Sequence, residues 1–257
     1  MEEKKPLDEA VAPWTWDEGD PEEEFPCRRL ADTGVTAPVS AGDLAALGVR
    51  GIQFGSWDGQ APGWLNTDAV GLRCGGARTE TGRVYRVDDV TNFIKADARQ
   101  RLPFADHVTP WVYAEHFIEH LSLDAGISWL REVRRILTPG GLLRLTTPDL
   151  ARYADGYRGD DDFYSTHRER LLRLGAPPHE VPKRRAFMLN QIFHFHGHRW
   201  IYDEDELVFA LTTAGFPADR IVRRAYREGA VAEVATLDRQ IRNDETLYAE
   251  ARSPDGR

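Results

Sequence analysis

The chain has 257 residues, 41% of them hydrophobic and 29% charged, with a net charge of −9; it is long enough for one large globular domain, with or without an insertion. No apolar run approaches the length of a membrane span, and the acidic start Met1-Glu2-Glu3-Lys4-Lys5 is no secretory signal. Cys27 and Cys74 are too few for a disulfide framework and lack the paired spacing of a zinc site, so a reducing, cytoplasmic location is expected.

The charge is unevenly placed. Residues 1–26 hold ten acids against Lys4 and Lys5, which leaves the remaining chain close to neutral. An acidic tail on a neutral body offers no footprint for a phosphate backbone, so a small-molecule partner is expected rather than nucleic acid or membrane. The oligomeric state is not legible from these features.

Residues 1–40 read as an acidic, Pro-containing N-terminal extension without helical or strand period. Its composition fits disorder, yet Trp14, Trp16 and Phe25 are costly to leave in water. Part of it is therefore expected to pack on the body, either as plain docking or as a lid.

The domain proper is expected over 41–257. Asp43 to Gly48 reads as a short capped helix, and Val49 to Phe54 as a buried strand closed by Gly55. Trp64 to Asp68 and Asn92 to Asp97 read as strands that each end in a carboxylate, with a hairpin arm at Gly82–Val90 between them. Trp111 to Ala114 is a fourth strand. Ser122 can cap a helix whose apolar residues Ile127, Leu130, Val133 and Leu137 recur at helical spacing, stopped by Pro139-Gly140-Gly141. A strand at Leu142–Thr147 follows. Segments 151–200 break the rhythm with aromatic and basic residues, as an inserted cap would. Asp203 to Ala214 then reads as a helix, and Ile221–Tyr226 and Thr246–Ala251 as the last strands. The alternation implies an α/β, doubly wound, mostly parallel sheet with a helical cap.

Ligands of such sheets sit beyond the carboxyl ends of the strands. Gly55, Asp68 and Asp97 close three candidate strands at that edge. A carboxylate after the second strand can accept both hydroxyls of a ribose, and one after the third can accept from an adenine amino group. Singly, each Asp reads equally as a turn or capping residue.

The stretches Gly51-Ile-Gln-Phe-Gly-Ser-Trp57, Pro62-Gly-Trp-Leu-Asn-Thr-Asp68, Asp97-Ala98, Tyr113-Ala-Glu-His-Phe-Ile-Glu-His120, Glu132 to Gly141, Leu145-Thr-Thr-Pro-Asp149, His198 to Asp203 and Leu211 to Phe216 occur in this order. The ordered set resembles a bacterial group of class I S-adenosylmethionine-dependent methyltransferases. The resemblance implies a seven-stranded Rossmann-like sheet with an antiparallel last pair, and S-adenosyl-L-methionine as cofactor. It further implies cofactor contacts at Gly55, Ser56, Trp57, Asp68, Asp97, Ala98 and Glu115, and methyl transfer to a small-molecule acceptor. One departure matters. Where the family carries Gly-x-Gly, this chain has Gly55-Ser56-Trp57, with an indole at the place of the second glycine. Trp57 can fold into the core, stack on a substrate, or fill the site. If it fills the site, the fold persists without methylation, as a cyclase, another enzyme or a binding subunit.

For proton removal from an acceptor, histidine suits neutral pH. His116 and His120 follow the fourth strand, where an acceptor would sit; on a helix their spacing would place them on one face. His194, His196 and His198 alternate, which on a strand would aim all three to one side. His194 joins His116 and His120 as a catalytic candidate, packing being the plainer reading, and no metal ligand set is assigned. The aromatic residues of the cap, Tyr153 to Met188, read either as an acceptor pocket or as the cap's own core.

Overall fold

A computed structural model describes residues 24–256 apart from 57–58, 160–161, 174, 177, 180 and 195. The elements in chain order are β1 (Phe25–Pro26), β2 (Ala31–Thr36), α1 (Ala41–Ala46), β3 (Ile52–Phe54), β4 (Leu65–Asp68), β5 (Leu72–Cys74), β6 (Ala77–Arg78), β7 (Arg83–Arg86), β8 (Asn92–Lys95), β9 (Thr109–Glu115), α2 (Leu123–Ile136), β10 (Leu137–Pro148), α3 (Leu150–Arg158), α4 (Phe163–Arg173), α5 (Arg185–His194), α6 (Glu204–Thr213), β11 (Ile221–Arg224), α7 (Ala232–Ala235) and β12 (Thr246–Arg252). No described helix is long and apolar enough to cross a membrane.

The main sheet has the order β11-β12-β10-β9-β3-β4-β8-β7-β2. Its five central strands β10, β9, β3, β4 and β8 run parallel, and β12 pairs antiparallel with both β10 and β11. The expected seven strands are thus present, widened by β7 and β2 into a nine-stranded mixed sheet. β7 is the hairpin arm expected near 82–90, and β2 draws part of the 1–40 extension into the sheet edge. Phe25 packs beside Leu72, Val87 and Phe93; Trp14 and Trp16 lie outside the described residues.

The helix after β9 forms as its pattern dictates. Ser122 accepts from the Ala125 amide, Ile127, Leu130 and Val133 are buried, and Arg134 and Arg135 stand at the carboxyl end. α2 ends at Ile136, three residues before Pro139, because β10 already begins at Leu137. Pro110 lies inside β9, against the expectation of a later start. It is tolerated at a register shift, since β9 pairs with Leu137 at Thr109 and with Leu142 at Trp111.

The two sheet faces differ. Ile52, Phe54, Val112, Ala114, Leu143 and Leu145 face α2 and α6 in the main core. The opposite face carries the cross-strand row Phe93, Asn66, Gln53, Tyr113, Arg144 and Glu250. A doubly wound sheet normally covers both faces with crossover helices. Among the described residues the β3–β4 connection carries none; the β11–β12 connection with α7 folds over that face instead, where Val234 packs with Ala61, Trp64 and Tyr113.

The described residues of 151–200 carry the helices α3, α4 and α5. α3, α4 and α5 enclose a separate core of Tyr153, Phe163, Tyr164, Met188 and Ile192, so these cap aromatics serve its own packing.

Candidate functional site

At the head of β3 the chain turns at Gly55, whose φ is +63°. A Cβ there would stand 2.6 Å from the Phe117 ring, so glycine is required both by backbone conformation and by close approach. Phe117 is held edge-on to Trp129, ring centroids 5.0 Å apart. Ser56 is fully buried; its amide donates to the Thr67 carbonyl at 3.1 Å, while its hydroxyl has no hydrogen-bond partner. Trp57 lies outside the described residues.

Asp68 closes β4 half-buried, accepting from the Val70 amide at 3.0 Å. The parallel pairing of Asp68 with Lys95 brings Asp97 to the neighbouring strand end. Burial works against the charge of Asp97, but hydrogen bonds from the Arg99 side chain and amide prevail and hold its carboxyl below the usual range. Ala98 is buried beside it.

Glu115 ends β9, buried, and is already engaged. It accepts the Arg239 amide at 2.8 Å and forms an ion pair with the Arg239 guanidinium. Around this pair opens a cleft of about 430 Å³, lined by Gln53, Gly59, Tyr113, Glu115, Arg239 and Gln240 among others. The cleft lies on the polar sheet face, between Gly59 of the β3–β4 connection and Arg239 and Gln240 of the β11–β12 connection. Arg239 has no signal in the sequence that ties it to Glu115, because the two meet only through the β11–β12 connection.

The three candidate histidines part company. His116 takes a left-handed conformation, φ +47°, and is buried. Its Nε2 lies 2.8 Å from the Thr246 hydroxyl, which itself donates to the Arg242 carbonyl, so Nε2 carries the proton. Burial, with the Arg242 charge nearby, pushes its pKa well below the ordinary value. His120 ends a 3-10 turn, Ile118–His120, rather than sharing an α-helical face with His116. Its ring meets His198 at 5.0 Å between centroids. His194 is exposed at the carboxyl end of α5, and His196 is at φ +61°, so the alternating histidines form no strand.

The family resemblance of the sequence implies S-adenosylmethionine, and the residue types at these strand ends fit an adenosyl group. Half-buried carboxylates stand at two adjacent strand ends, and the Gly55 turn carries a buried, unpartnered Ser56 hydroxyl at its side.

Residues 68–145 match the family described as a methyltransferase domain. No curated protein matches the chain by sequence. Among solved structures, the [4+2]-cyclase SpnF is 16% identical, over 90% of this chain and 89% of that one, with a TM-score of 0.44. A S-adenosylmethionine-dependent methyltransferase from Thermotoga maritima is 13% identical, over 85% and 90%, with a TM-score of 0.43. PigF with SAH is 12% identical over 63% of this chain, which spans only 39% of PigF, with a TM-score of 0.36.

Proposed function

We propose, from the match of residues 68–145 to a methyltransferase domain and the ordered motifs of the sequence, that this chain is a class I methyltransferase that moves a methyl group from S-adenosylmethionine to a small-molecule acceptor. The carrying observation is the placement of Asp68 and Asp97 at neighbouring strand ends beside the Gly55 turn. When bound, the cofactor supplies an electrophilic methyl group. Asp68 would accept from the ribose hydroxyls and the Asp97-Ala98 turn would hold the base, while the Gly55–Ser56 backbone approaches the amino-acid end. The protein's remaining task is to position the acceptor, which alone accounts for much of the rate in such displacements. Of the three histidines, half-buried His120 stands at the junction of sheet head and cap, the side from which an acceptor would enter.

Calorimetric titration with S-adenosylmethionine and S-adenosylhomocysteine tests cofactor binding, and mass detection of a methylated product tests transfer. A second reading draws on the Glu115–Arg239 pair, which closes the end of β9. A methyltransferase-fold protein without methylation, as a cyclase, other enzyme or binding subunit, would leave that pair closed. Absence of cofactor binding favours this second reading. Binding without product still allows a non-methylating protein of this fold.

A further inference from the structure

Glu119, His120 and His198 each present a ligand atom, and these atoms lie within 4.8 Å of one another. The grouping is made by tertiary structure: the Glu119 carbonyl accepts the amides of Arg199 and Trp200 at 2.7 and 3.2 Å, pinning the chain that leaves the cap against the turn after β9. His198 and Glu119 are oriented from behind. The His198 Nδ1 lies 2.7 Å from the Ile192 carbonyl and so carries the proton, which leaves Nε2 as a lone pair. The His120 ring meets the His198 ring edge to face, centroids 5.0 Å apart. Glu119 is fully buried, with Oε2 accepting from the Thr147 hydroxyl at 3.1 Å. Its Oε1 has no hydrogen-bond partner, and the His116 Nδ1 stands 3.4 Å away.

A buried carboxyl oxygen without a partner is costly, and an imidazole fixed through its second nitrogen, as His198 is, is the usual form of metal-ligating histidine. We propose that Glu119, His120 and His198 hold a divalent transition-metal ion, zinc by its donor set, which clasps the end of the cap to the head of the sheet. Two histidines and one carboxylate form a known zinc donor set with a further position open to water or a ligand. Around a tetrahedral ion with bonds of about 2.0–2.1 Å, donor atoms lie roughly 3.4 Å apart, so modest side-chain rotation closes the present spacing. Half-buried His120 and His198 leave an entry path. The inference does not depend on methyl transfer.

The test is calorimetric titration of the full chain, stripped with chelator, using Zn²⁺. One equivalent is expected to bind. The double variant His120→Ala/His198→Ala should lose more than the roughly 10–100-fold in affinity that removal of an outer partner costs. Cys27→Ser/Cys74→Ser, which removes the two thiols, should leave binding unchanged. Should the double histidine variant fail to fold, Glu119→Gln keeps the side-chain shape and should weaken binding at least about 10-fold. Co²⁺ substitution in the unaltered chain should give visible bands without a thiolate charge-transfer band. Substoichiometric binding, binding that survives in both ligand variants, or dependence on the cysteines would overturn the assignment.

Discussion

Arg144, in the middle of β10, meets Asp238, ahead of β12, through two parallel hydrogen bonds of 2.9 and 2.5 Å, and neither side chain is exposed. The same guanidinium reaches Glu250 at 3.1 Å and the carbonyls of Glu228 and Ala225 at 3.0 and 3.1 Å. This buried network ties the β11–β12 connection to the polar sheet face, and that connection in turn carries Arg239 to Glu115. Removing one partner strands a buried charge. Arg144→Ala is therefore expected to cost about 3–5 kcal/mol in denaturant unfolding.

The cap is tied to the start of β12 by charge. Tyr153 donates to Glu245, and Arg170 lies 2.8 Å from Glu245 and 3.0 Å from Asp244. Burial opposes the Glu245 charge, but His167, Arg170 and the Tyr153 hydroxyl prevail and hold its pKa below the usual 4.5. A carboxyl depressed in the folded state stabilises fully above its unfolded value, and that contribution is lost as pH falls through the folded value. Thermal scans should show the chain losing stability on acidification below about pH 4.5, and Glu245→Gln should flatten that slope while lowering stability at neutral pH. An unchanged acid slope in the variant would show that Glu245 does not link cap to sheet.

For cofactor recognition, Asp68→Ala removes acceptors from the end of β4. Hydrogen bonds to a charged group are worth about 1.5–3 kcal/mol, so affinity for S-adenosylhomocysteine should fall by roughly 10- to 150-fold. The melting temperature of the ligand-free protein should move little. Equal affinity in calorimetry would remove Asp68 from the site.

Gly55→Ala combines a left-handed backbone with a Cβ 2.6 Å from Phe117. A cost of about 1–3 kcal/mol is expected from the backbone alone, with more from the ring contact. Adding Phe117→Leu should return only the steric part, as chemical denaturation of the single and double variants would show.

Local signals carried most of the architecture. Ser122, the 127–133 spacing and the carboxylates closing the second and third strands were readable because they act within a few residues of themselves. The strand–helix rhythm likewise announced the parallel core. The wider edge was less legible, since β2 is a short strand in an acidic segment whose composition speaks against order. The alternating histidines misled for a related reason: period two implies a strand only if the backbone is extended, and His194 ends a helix while His196 sits in a left-handed turn.

What the amino-acid sequence determined by itself was therefore the fold class, the order of the central strands' turn residues, and the strand-end positions of Gly55, Asp68 and Asp97. The tertiary structure alone decided which distant groups meet: Arg239 with Glu115, Arg144 with Asp238 and Glu250, and His198 with His120 and Glu119. Capping and periodicity are written in neighbouring residues, whereas these pairings exist only once connections far apart in the chain fold over the same sheet, and no local pattern encodes that closure.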